Sequence, residues 1–336
     1  MMKKHMKKKW QILGVLLLAA AFLLPACGTT ATEEVAEPQT VKIAAFAGPT
    51  GMGMSPMIAN GVDLGEGVET EFTIATAPDQ VTQDIISGNY QIASLPVNLA
   101  ATLYNKTEGA VILGAVNTLN VLDIVADQAA EIEQVSDLKG KTIVAFGQGG
   151  TSEYVLDYVL EANGLTPGTD VNIEWEAETT TVVAKMISGE ATIALLPQPF
   201  ATQAIMKSPN ATIALDLGEA FKQASGTDVQ TGCIVVQKEW AENNKPIVKA
   251  FMEAYEDSVD IINKDDDAAA QTIVDAGVLG DADLAKAAIP NCGIVYEPAD
   301  QAQDSLNTYY GILFDSNPQS IGGTVPDDVF YSLDYE

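Results

Sequence analysis

The chain has 336 residues, 47% of them hydrophobic, enough for about two domains with real cores. Its formal charge is −29, with 46 acidic against 17 basic residues, which excludes nucleic acid or an anionic lipid surface as the main partner. Every basic residue is a lysine and the only histidine is His5, so the chain lacks the guanidinium fork that grips carboxylates, phosphates and sulfonates, and beyond its first residues it has no histidine for a general base, a Ser-His or Cys-His pair, or a metal site.

In chain order, residues 1–9 carry five lysines, residues 12–24 are apolar, and Pro25-Ala26-Cys27 follows. A basic start, a short apolar run and a small residue at the cut site predict a signal peptide over 1–26, too short to span a bilayer. "LPAC" resembles a bacterial lipobox, in which Cys27 becomes the lipidated N-terminus. The polar stretch 27–40 then reads as a tether that holds the protein outside the cytoplasm on the bacterial cell membrane. The alternative is an ordinary signal peptide with a chance cysteine.

From residue 41 the chain repeats itself at a constant offset. "IISGNYQIASLP" (85–96) matches "MISGEATIALLP" (186–197), and upstream "VKIAAF" faces "KTIVAF". Each half reads as a strand ending in Ala-Phe, a Gly-rich loop, a helix, an alternating strand (68–76 and 171–177), a second helix stopped by Ser-Gly, and a strand closed by Pro96 or Pro197. A further helix follows each proline. "AVILGAV" (110–116) and "ATIALDL" (211–217) add one more strand to each half. Strands alternating with helices predict an α/β fold of two lobes, each a mainly parallel sheet flanked by helices. Residues 120–127 and 232–240 read as crossover strands, and 241–336 as mostly helical. This gives one lobe from 41–122 and 238–336, and a second from 123–237 with the hinge strands.

Ligands of open α/β sheets sit beyond the carboxyl ends of strands, where helix N-termini also point. Those corners supply the candidate ligand-binding residues. In the first lobe they are Thr50, Gly51, Met52 and Gly53, then Pro96, Val97 and Asn98, then Asn117; in the second they are Gly149, Gly150, Thr151 and Ser152, Glu178 and Thr179, and Pro197 and Gln198. The glycines offer backbone amides or merely tight turns, and Asn98, Gln198 and Asn117 offer amide side chains or merely local caps. Met52 reads as pocket lining and Trp175 as core. "GPTGMG" and "GQGGTS" lack the lysine and spacing of a phosphate loop. Asp265-Asp266-Asp267 lacks the spaced ligands of a calcium loop and reads as a solvated charge run. No metal and no cofactor is expected. Cys233 and Cys292 pair as a disulfide or stay as separate buried thiols, and the sequence leaves both open.

The lipobox-like start, the paired "ISG…IA.LP" words and the block "DLKGKTIVAFGQGGTSEYVLDYVLEANGL" (137–165) resemble the extracytoplasmic solute-binding lipoproteins of bacterial ABC importers with the type II periplasmic-binding-protein fold. Within them the chain is most similar to the nitrate, sulfonate, taurine and thiamine-pyrimidine-precursor group. The group's Gly-Tyr-Phe after the first helix is replaced by Asn60-Gly61-Val62-Asp63. The resemblance implies a non-enzymatic, monomeric protein that delivers a small molecule to an ABC permease and its ATPase. Missing arginine favours a neutral or weakly basic heterocyclic or aromatic nutrient over sulfonate, taurine or nitrate. A lipoprotein sensor or protein-binding module is the alternative from another class.

Overall fold

The computed structural model describes residues 39–75, 79–264 and 266–335. The expected signal peptide, Cys27 and most of the tether lie outside the described residues. Gln39 and Thr40, expected to end the tether, instead open the first strand.

The first half runs β1 (Gln39–Phe46), α1 (Pro49–Met52), α2 (Ser55–Asn60), β2 (Val68–Ala75), α3 (Asp79–Ile86), β3 (Ile92–Pro96), α4 (Val97–Lys106) and β4 (Val111–Leu119). The second runs β5 (Leu122–Asp127), β6 (Thr142–Phe146), α5 (Thr151–Ala162), β7 (Asn172–Glu176), α6 (Thr179–Ser188), β8 (Ile193–Pro197), α7 (Phe200–Lys207), β9 (Ala211–Asp216) and α8 (Leu217–Ser225). Then come β10 (Gln230–Gln237), α9 (Lys238–Asn243), α10 (Lys245–Lys264), α11 (Asp266–Asp275), α12 (Ala282–Ala288), β11 (Ile294–Pro298) and α13 (Ala299–Ser316).

The repeat is structural. β1 pairs in parallel with β2 and β3, and β6 in parallel with β7 and β8. Gly88 and Gly189 end the matched helices at φ 76° and 75°, the left-handed conformation in which a Cβ would be strained. Each proline closes its strand where the sequence places it.

The two sheets have the orders β11-β4-β10-β3-β1-β2 and β7-β6-β8-β5-β9. They are mixed. β10 runs antiparallel to β3 and β4, and β5 antiparallel to β8 and β9. β10 reaches the first sheet only after the chain has run through the whole of the second, whereas β5 belongs to the second sheet's own stretch of chain. This corrects the expected lobe boundary: β10, placed with the 123–237 lobe, lies inside the first sheet. Its residues from Gly232 to Val236 are all buried, as a strand covered on both faces requires. β11, inside a stretch expected to be mostly helical, adds an antiparallel edge beside β4.

The chain thus crosses between lobes at residues 120–121 and 226–229. Asn120 ties the two crossings together. Its backbone N–H donates to the Val229 carbonyl (3.0 Å), its side-chain oxygen accepts from the Val229 N–H (2.8 Å), and its Nδ2 donates to Asp228 (2.7 Å). It does so in the left-handed region, at φ 50°.

Cys233 and Cys292 are both free and buried. The alternation of β10 explains why no disulfide forms. Cys233 and Val235 face one apolar cluster, with the Cys233 thiol against the Leu95 carbonyl, whereas Ile234 and Val236 face the other, to which Cys292 belongs. The sheet lies between the sulfurs.

Candidate binding cleft

The lobes touch on both flanks of the crossings. On one flank the Phe221 ring of α8 meets Tyr309 of α13 edge-on at 5.9 Å, and Asn317 Nδ2 donates to the Tyr154 hydroxyl of α5 at 2.9 Å. On the other, α12 packs against α7. A groove of about 780 Å³ runs between α5 and the end of α13. Glu153, Asp157, Glu161 and Asp315 line it with Tyr154 and Tyr158, and no lysine is among its lining residues. Burial, then repulsion from Glu153 and Glu161, pushes the Asp157 carboxyl up to about 6.

Of the expected site residues, Thr50 and Asn117 come together. Asn117 is fully buried and donates from Nδ2 to the Thr50 carbonyl (3.1 Å), while its oxygen accepts from Thr118 (3.1 Å). Gly232 of β10 leaves their space open: a Cβ there would lie 2.6 Å from the Asn117 oxygen and 2.8 Å from the Thr50 hydroxyl. Gly51 turns beneath the Phe46 carbonyl and Gly53 beneath the Tyr255 hydroxyl. The buried hydroxyl of Ser55 and the side-chain oxygen of buried Gln230 have no protein partner, while the Tyr255 hydroxyl lies beside the Asn117 side chain. Such groups are costly to bury unless something else bonds them.

The matched corners behave differently. Asn98 turns away, its Nδ2 3.5 Å from the Ser320 carbonyl, and Val97 is core with its carbonyl accepting from Tyr310. Pro96 and Pro197 are half-buried strand ends. The Gln198 side chain is used within the protein. Its oxygen accepts from the Thr202 hydroxyl (2.7 Å) at the start of α7, and its Nε2 donates to Asp123 (2.8 Å). Met52, expected in a pocket, is completely buried in the cluster of Phe251, Met252 and Tyr255, because the tight turn of α1 points it back over the sheet.

In the second lobe, Gly149 closes on its own helix, accepting from the Tyr154 hydroxyl and donating to Glu153, and the Gly150 N–H bonds back to Gly147. Ser152 is buried under that turn, and half-buried Thr151 lies beside the Tyr309 hydroxyl of the other lobe. Half-buried Thr179 starts α6, and Glu178 is exposed.

Sequence reasoning missed Asp123. It is the second residue of β5, 7% exposed, at the strand end that faces the crossings. Its side-chain partner is the neutral amide of Gln198. Burial pushes its carboxyl from the ordinary 3.8 up to about 7; the Gln198 donor opposes the rise and Asp216 adds to it. Cys292, from the other lobe, feels its charge. A carboxylate inside the apolar run "VLDIVA" was the available signal. No lysine is among the groups that shift Asp123, and none of the described lysines is buried. Asp267 of the charge run pairs with Lys286, and the described residues hold no acid, cysteine or histidine cluster suited to a metal.

Two α/β lobes joined by two crossings, with polar walls facing each other at the strand ends, are the type II periplasmic-binding-protein fold. The solved structures agree. An ABC transporter structure from Parabacteroides distasonis superposes with a TM-score of 0.75 at 21% identity, covering 87% of this chain and 98% of that one. The periplasmic aliphatic sulphonate binding protein SsuA from Escherichia coli gives 0.68 at 17%, covering 88% and 91%. The periplasmic nitrate-binding protein NrtA from Synechocystis PCC 6803 gives 0.52 at 15%, covering 76% and 69%. No curated protein matches significantly. The NMT1/THI5-like family model matches residues 65–269, more than half of the chain, and the chain belongs to that family.

Proposed function

We propose that this protein is a non-enzymatic solute-binding protein that captures a small organic molecule between its lobes and delivers it to an ABC-type permease and its ATPase. The solute is a neutral or weakly basic heterocyclic or aromatic nutrient. The observation that carries this reading is the set of polar groups buried near the crossings and strand ends: the amides of Asn117 and Gln230 and the carboxylate of Asp123, with half-buried Thr50 beside Asn117 and, among the described residues, no buried lysine. Such a set suits a flat polar ring and leaves an anion without a counter-charge. The protein acts as a monomer outside the cytoplasm, held to the bacterial membrane by a lipid on Cys27. Among the described residues, no helix is long and apolar enough to cross a membrane.

A second reading, capture of a sulfonate or nitrate, is favoured by what SsuA and NrtA are described as binding. A thermal-shift screen against ring heterocycles, amines, sulfonates and nitrate separates the two. A ligand at 100 times its Kd stabilises by about 2.7 kcal/mol. Shifts confined to the anions would establish the second reading and remove the first.

A further inference from the structure

Three facts about Asp123 meet at one point. It is more than nine-tenths buried, on a strand end facing the interlobe crossings. It bonds a neutral amide rather than a cation. Gln198, which donates that bond, is itself held by the Thr202 hydroxyl and by its own N–H to the Val121 carbonyl, so the carboxylate is kept in one place from below. The sequence offers cheaper occupants for such a position. An apolar side chain would extend the buried run of Leu122, Ile124 and Val125, and an asparagine would keep the Gln198 bond without a charge. A buried carboxylate lacking a counter-ion is costly in the same sense as the partnerless buried hydroxyl of Ser55, and its chemistry specifies what finishes it.

We propose that Asp123 is the counter-ion of the solute, which this cleft takes up as a protonated nitrogen base, an amidinium or amino-heterocyclic cation whose N–H groups donate to the carboxylate. This rests on the solute-binding reading and narrows it to the cationic form. A flat N–C–N edge matches the two carboxylate oxygens as a guanidinium would. Binding is then coupled to pH, because the carboxyl must lose its proton to receive the ligand, and unliganded it holds that proton up to about 7. The titratable groups facing it are Asp216 at the end of β9, which raises it, and Cys292 from the other lobe. Gln198, just after β8, bonds it and is itself bonded by Thr202 of α7, neither of which titrates, and Lys222 on α8 is held 3.0 Å from Asp228.

The test uses the full chain with named probes: benzamidinium and 4-aminopyridinium as cations, benzamide and nicotinamide as neutral rings, and benzenesulfonate as the anion. Affinities are read by thermal shift and calorimetry. In the wild type the cations bind better than their neutral counterparts, and their affinity falls on the order of 100-fold from about pH 8 to about pH 5. Asp123→Asn weakens the cations at least about 30-fold, removes that pH dependence, and leaves the neutral rings within about threefold. Failure of this inference is distinct from failure of the reading beneath it. If neutral rings bind as well as the cations, or Asp123→Asn keeps the cation preference, Asp123 is not the counter-ion although the cleft still binds rings. If only benzenesulfonate binds, or no ring of any charge does, both are overturned. Should Asp123→Asn fail to fold, the wild-type pH profile decides alone: a cation affinity flat between those pH values overturns the proposal.

Discussion

Replacing Asp123 by asparagine is expected to stabilise the ligand-free protein, by an amount that depends on pH in a defined direction. The native carboxyl holds its proton up to about 7, whereas the unfolded one releases it near 3.8. Below about pH 4 the side chain is neutral in both states and costs nothing. As pH rises, the unfolded chain gains the stability of an ionised, hydrated carboxylate before the native chain does, so native stability falls from about pH 4 and levels off above about pH 7. At 1.36 kcal/mol for each tenfold change in proton affinity, the full cost above neutrality is about 4 kcal/mol. Asparagine keeps an oxygen for Gln198 and has no charge to desolvate. Urea unfolding followed by the fluorescence of Trp175 and Trp240 measures the difference between variant and wild type, expected to be near zero at about pH 4 and to approach about 4 kcal/mol at about pH 8. Asp157, pushed up to about 6, affects both proteins alike and cancels. A difference that is flat with pH, or a variant less stable than the wild type at about pH 8, would refute the reasoning.

Two further outcomes follow from the crossings and the cores. Asn120→Ala removes the bonds to Asp228 and the Val229 N–H and places a Cβ-bearing residue without side-chain support at positive φ, so a loss of about 2–3 kcal/mol is expected, with hydrogen exchange at Val229 accelerating before that of the β10 interior. Cys233 and Cys292 should be inert to a thiol reagent in the native state and both react in denaturant, since burial pushes both thiols up and the sheet keeps them apart; recovery of a 233–292 disulfide from native protein would contradict the packing described.

The lobes were legible in the sequence because the repeat carries local chemistry. Ser-Gly at 87–88 and 188–189 stops a helix wherever it stands, and the prolines at 96 and 197 close strands whose hydrophobic pattern is unambiguous. What escaped was decided at long range. β10 reads as a buried strand, but nothing local states that its neighbours are β3 and β4, more than a hundred residues upstream. β11 is only five residues long and owes its pairing to β4. Asn117 and Thr50, singled out from their corner positions, meet in the fold through the Asn117 bond to the Thr50 carbonyl. Gln198 and Asn98 shared that position, and their amides found partners, Thr202 with Asp123 in one case and Ser320 in the other, which a strand-end rule has no means of foreseeing. Asp123 was passed over because a single acid in an apolar strand looks like half of an alternation; its significance lies in the absence of a counter-charge, a property of the folded neighbourhood.

The late arrival of β10 also sets an order of assembly. Every strand of the β7-β6-β8-β5-β9 sheet lies between residues 122 and 216, so that sheet is complete once one uninterrupted stretch of chain is available. The other sheet begins 83 residues earlier at Gln39, yet without β10 it is two fragments, β2-β1-β3 and β4-β11. A chain released N-terminus first therefore finishes its second lobe before its first, and the early strands stay unsealed until the polypeptide has made its return crossing. The first lobe is the slow half of the molecule, and a truncation after α8 is expected to leave the second sheet whole and the first broken at its centre.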